Sequence, residues 1–166
     1  MKINIFDLEF NCEYFYIHSK SIVEKITFNN RIFYSKYQRV STPLTSILLQ
    51  QHYNHDIQLA LPLIEDDKIN YLVIEYTQED WKSFHALVRY LLKSLHIKES
   101  FSYRNNSEEL LQIFIKRESI PLEKAYKEVE EIKYLLNLKS KKSYKIFPNR
   151  NLPKNYNIIT IPQQKI

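Results

Sequence analysis

The side chains with chemistry to offer are few and scattered. His52 and His55 could be ligands, but no cysteine or further histidine stands at metal spacing, so both read as surface or packing histidines and no zinc is expected. Cys12 is the single cysteine and forms no internal disulfide; without a histidine or acid cluster around it, it reads as a small packing residue in a reducing compartment. Acids gather at Glu65-Asp66-Asp67, which suits a turn between strands, and at Glu128-Val129-Glu130-Glu131, which suits a solvated helix face. Glycine is absent, where average usage of about 7% would give roughly 12 residues. The Walker phosphate loop, the GxGxxG turn and the GxSxG elbow all need glycine backbone geometry and are excluded. Any phosphate bound here must be held by side chains.

The elements that would position these groups follow from periodicity. Residues Ile22 to Tyr34 place two β-rich runs around Asn29-Asn30, and asparagine is the best substitute for glycine in a tight hairpin. Pro43 suits a first helical position, with Leu44, Ile47, Leu48 and His52 on one face of the helix that would follow. Ile57 to Leu63 and Asn70 to Tyr76 read as an antiparallel pair in one sheet. Asp80 caps a helix whose stripe is Trp81, Phe84, Val88, Leu91, Leu92 and Leu95, which gives Trp81 and Phe84 core roles rather than base-stacking ones. Leu111, Ile113 and Ile115 alternate as in a half-buried strand, and Pro121 opens a second helix through Leu122, Ala125, Tyr126, Val129, Ile132 and Leu136. The basic run Lys139 to Lys145 reads as a solvated connection, with nucleic-acid contact as the alternative, and Asn157 to Ile161 supplies a last strand.

Together these elements predict an α+β sandwich: an antiparallel sheet with helices packed on one face and the other face free for a ligand. The 166 residues, 44% hydrophobic and 14% aromatic, suit one globular domain, with residues 1–42 as a β-rich extension carrying a hairpin at about 22–35. The N-terminus has no export-signal pattern and no stretch is long and apolar enough for a membrane span, so a cytoplasmic protein without membrane partner is expected. The formal charge of +5 mildly favours phosphate-bearing partners.

Three segments in fixed order resemble the primase-type domain of the archaeo-eukaryotic primase superfamily, most closely the version in TOTE conflict systems. They are PLTSILLQQHYNHDIQLALPLIEDDKINYLVIEYTQEDW (Pro43 to Trp81), SYRNNSEELLQIFIKRESIPL (Ser102 to Leu122) and FPNRNLPKNYNIITIP (Phe147 to Pro162), which place the primase-like core at 43–162. The resemblance implies an RRM-like sandwich that binds a nucleoside triphosphate, dNTP or NTP, with Mg. The family's metal chemistry uses two aspartates one residue apart on a strand, which point to one side of the sheet. Here those positions hold Glu75 and Thr77, the strand histidine falls on Leu111, and the third acid falls near Lys145. Losing two acids and gaining a lysine weakens metal affinity by decades, so polymerisation is not expected.

Side chains that could still hold phosphate are Arg104, Asn106, Ser107 and Lys116 around the second segment and Asn149, Arg150, Lys154 and Asn157 around the third. Arg150 stands where the family has a glutamine near the phosphates, and Glu75 could hold at most one metal ion. The first expectation is therefore a catalytically degenerate nucleotide-binding protein of DNA replication or defence, taking a nucleoside triphosphate or a DNA or RNA end in the cleft between the sheet and the 102–107 and 147–157 loops. Two alternatives stand beside it: an interaction scaffold without small ligand, and a Mg-dependent nucleotide hydrolase or transferase using Glu75. The oligomeric state is not specified.

Overall fold

The computed structural model describes residues 1–105 and 109–166. In chain order the described elements are β1 (Lys2–Ile5), β2 (Leu8–Asn11), β3 (Phe15–His18), β4 (Glu24–Phe28), β5 (Arg31–Ser35), β6 (Tyr37–Val40), α1 (Ser46–Tyr53) and β7 (Leu59–Pro62). There follow β8 (Lys68–Tyr76), α2 (Trp81–Ser94), β9 (Ser100–Asn105), β10 (Leu110–Pro121), α3 (Leu122–Lys139), β11 (Lys145–Phe147), β12 (Ile158–Thr160) and β13 (Gln164–Lys165). The class is α+β and every sheet is antiparallel. The chain divides into two compact units, residues 1–65 with 150–161 and residues 66–149 with 162–166.

The first unit holds a four-stranded sheet in the order β12-β7-β3-β6 and the hairpins β1–β2 and β4–β5. The β4–β5 turn is the one the asparagines foretold: Asn29 and Asn30 sit at φ 50° and 61°, as a two-residue hairpin requires. Helix α1 starts later than Pro43 suggests. Thr45 is its N-cap, and its hydroxyl oxygen accepts the Leu48 N–H at 3.2 Å, a role no proline can fill. The expected pairing of 57–63 with 70–76 does not occur. β7 pairs with β3 and β12, while β8 belongs to another sheet.

His52 is fully buried and structural. The Leu59 N–H donates to Nδ1 at 3.1 Å, so Nε2 carries the proton and donates to the Ile161 carbonyl at 2.8 Å. The ring thereby ties α1 to β7 and to the chain after β12, and burial holds its pKa below the ordinary histidine value. Cys12 is buried as expected, and burial pushes its thiol up to about 11, which leaves it unreactive.

The second unit is a five-stranded sheet, order β11-β8-β10-β9-β13, with α2 and α3 on one face. That face carries Tyr76, whose ring stacks on Phe84 of α2 at 4.1 Å. Tyr144 packs against Phe84 at 5.7 Å and donates its hydroxyl to the Lys133 carbonyl of α3, so the two helices share the face. Asp80 is the N-cap residue of α2, but its carboxylate does not cap; it bonds the Tyr76 hydroxyl and pairs with Lys142.

The sheet is not open on its second face at the centre. In β10 all six residues from Leu110 to Ile115 are buried, and Tyr71, Val73 and Tyr103 beside Phe114 are buried too. The alternation of Leu111, Ile113 and Ile115 hid this, because Leu110 and Phe114 are apolar at the opposite phase. Such a strand reads as covered on both sides.

Candidate functional site

Directly opposed residues in antiparallel strands share a face, so the register decides which predicted site residues meet. One row runs Lys145, Glu75, Gln112, Tyr103 and Lys165 across the five strands. In it the fully buried Gln112 amide donates to Glu75 Oε2 at 3.0 Å, and Lys145 stands directly opposite Glu75. A lone carboxylate that accepts an amide and faces a lysine does not fit a two-metal site. Among the described residues no group of three or more His, Cys, Asp or Glu side chains could hold a metal ion. Gln112 was missed in the sequence, although it is the single polar residue of LLQIFI.

The adjacent row joins Tyr76, Leu111 and Arg104, and it faces the helices. The Arg104 guanidinium lies over the Trp81 ring, 4.3 Å from its centroid, and donates to the Glu109 carbonyl at 3.1 Å. Lys82 approaches the same ring at 5.7 Å. Trp81 is half-buried beside two cations, whereas Phe84 is fully buried; the expected core role holds for Phe84 only. Arg104 and Glu75 therefore project from opposite faces of the sheet.

The remaining predicted residues do not converge. Lys116 stands five positions along β10 from Leu111, the register partner of Arg104, or about 17 Å at strand rise. It pairs with Glu99 at 3.3 Å, and that carboxylate holds its pKa above the ordinary lysine value. Asn149 is half-buried in the second unit. Arg150, Lys154 and Asn157 belong to the first unit. Arg150 and Lys154 are exposed, the latter opening a short 3-10 turn at 154–156. Asn157 is buried as a turn residue: its amide donates to the Pro153 carbonyl at 3.3 Å and its own carbonyl accepts the Leu63 N–H at 3.0 Å. Asn106 and Ser107 lie outside the described residues.

A different concentration of cations lies within the second unit, at the C-terminal end of α2. An open groove of about 650 Å3 is lined by Arg89, Tyr90, Lys93, His96, Lys98 and Ser100, together with the apolar Ala86, Leu92 and Ile97. Among the described residues none of those lining it is acidic. Among the described residues Arg89, Lys93 and Lys98 form no ion pair, and all three are exposed.

The local sequence explains how the groove forms. Val88, Leu91 and Leu92 bury one side of α2, which turns Arg89, Tyr90 and Lys93 outward on the other. The helix then stops at His96, in left-handed backbone at φ 59°. The His96 N–H donates to the Lys93 carbonyl at 3.0 Å and the Ile97 N–H to the Leu92 carbonyl at 2.9 Å, the paired bonds of a Schellman cap. Those bonds satisfy two of the carbonyls that the helix end leaves without a helical partner. The signal was present in RYLLKSLHIK, residues 89–98, which has four basic or imidazole side chains and no acid. Its apolar stripe drew attention to the opposite side.

A family model described as a domain of unknown function (DUF1882) matches residues 1–70. No curated protein matches the chain. The matched stretch covers β1 to β7 and the start of β8, so the groove at 86–100 lies outside it. Among the described residues no helix is long and apolar enough to cross a membrane.

Proposed function

We propose that this chain is a non-catalytic binding protein for a phosphate-bearing ligand of the nucleotide class, and that the groove at the end of α2 takes the phosphates. The observation that carries this reading is the groove's one-sided charge: among the described residues, three cations without ion-pair partners and no carboxylate in the lining. Its volume of about 650 Å3 falls within the usual range for small-ligand sites. Charge-assisted bonds from Arg and Lys to phosphate oxygens are the strong ones, and they need no metal.

The resemblance to primase-type domains supports a nucleotide as the source of the phosphate. It gives no support to turnover here, because Glu75 is bonded to Gln112 and opposed by Lys145. The ligand would bind as the free triphosphate or with whatever Mg it carries. Calorimetric titration with ATP, GTP and dATP, with and without Mg, tests the reading. Saturable binding that Arg89→Glu/Lys93→Glu removes is expected; no heat with any of them, in either condition, would overturn it.

A further inference from the structure

A mononucleotide would use only part of this surface, since the groove does not end at its own cations. Tyr90, which lines it, is 63% exposed, a large aromatic ring presented to solvent on a helix whose core positions are already filled. Lys139 Nζ, from the last turn of α3, lies 5.5 Å from the centroid of that ring. The ring therefore joins the groove to the basic run Lys139, Lys141 and Lys142, of which Lys142 is engaged by Asp80.

Resting on the reading above, we infer that the ligand is single-stranded nucleic acid, with its backbone following Arg89, Lys93 and Lys98 in the groove and continuing past Tyr90 to Lys139. Cations that track a backbone, interrupted by an exposed ring on which a base stacks, are the physical requirements for binding a single strand without sequence readout. A bilayer is planar and would not enter a concave groove. An acidic peptide would use the cations and gain nothing from the ring.

Fluorescence anisotropy of labelled 12-mer oligo-dT and oligo-U, titrated with the full chain, tests the inference. The strand binds more tightly than ATP, and log K falls linearly with log salt with a slope of about −3, as four released counterions require. Tyr90→Ala weakens strand binding roughly tenfold, while Tyr90→Phe keeps it. Lys139→Gln makes the salt slope shallower by about 0.7. Both positions are exposed, and unchanged thermal unfolding verifies that the variants remain folded.

If ATP binds as tightly as the 12-mer, or if Tyr90→Ala and Lys139→Gln alter nothing, the single-strand inference fails while the phosphate-ligand reading stands. Equal competition by polyglutamate, or preference for a duplex of the same length, also overturns the inference. Failure of both ATP and the oligonucleotides to bind sinks both readings.

Discussion

Two sets of cations on the second unit invite opposite roles. Arg104 and Lys116, singled out by their place in the sequence, are already occupied: one lies on Trp81 and bonds the Glu109 carbonyl, the other pairs with Glu99. Arg89, Lys93 and Lys98 have the same chemistry but form no ion pair among the described residues, and they converge on one groove. A cation's residue type thus says less about anion binding than whether the fold has already neutralised it.

The sharpest way to break this comparison is charge reversal on each side. Arg89→Glu/Lys93→Glu removes two charge-assisted contacts and is expected to weaken ATP binding at least about 100-fold, while Arg104→Glu stays within about threefold. Isothermal calorimetry reads both. Equal losses would mean that the two sets act alike.

A second contrast concerns stability. Gln112→Leu leaves the Glu75 carboxylate without its buried amide donor and is expected to cost about 1–3 kcal/mol in urea unfolding, whereas Lys93→Ala in the groove stays within about 0.5 kcal/mol. A reversed order would make the groove a structural feature.

The histidines allow a third. His52 has its pKa lowered by burial, so the unfolded chain binds the proton more readily than the folded one. Stability is therefore full above the ordinary histidine value of 6.5 and is lost as pH falls below it. Denaturant midpoints from pH 8 to 5 should decline, and a His52→Gln variant, although less stable, should lose part of that slope, the rest belonging to His85, whose pKa burial also lowers. An unchanged slope in the variant would locate the titration elsewhere.

The smallest effect comes from backbone geometry. With no glycine in the chain, nine described residues adopt positive φ, among them Ser119 at 50° in the irregular stretch of β10. Ser119→Gly should raise stability by about 1 kcal/mol in thermal unfolding, because a Cβ is disfavoured there.

Much of the fold was legible where the signal is local. The asparagine turn, the stripe of α2 and the strand at 158–160 all rest on short-range patterns, and the structure contains them. What failed was long-range. No residue in LALP says that β7 pairs with β3 rather than with β8, and the phase of LLQIFI conceals a strand buried on both faces. The predicted cleft required Arg104 and Glu75 to share a face, and one residue of register puts them on opposite ones. The groove was missed for a different reason. A helix read for its apolar side yields its core, and the basic residues on the far side gain meaning only when the cap at His96 folds Lys98 back beside them.

NMR shift mapping shows most directly which cations meet the ligand. On titration of the isotope-labelled chain with ATP, the largest amide shifts should fall at Arg89, Lys93, His96 and Lys98. Shifts confined to Arg104, Arg150 and Lys154, or none at saturating ligand, would contradict it.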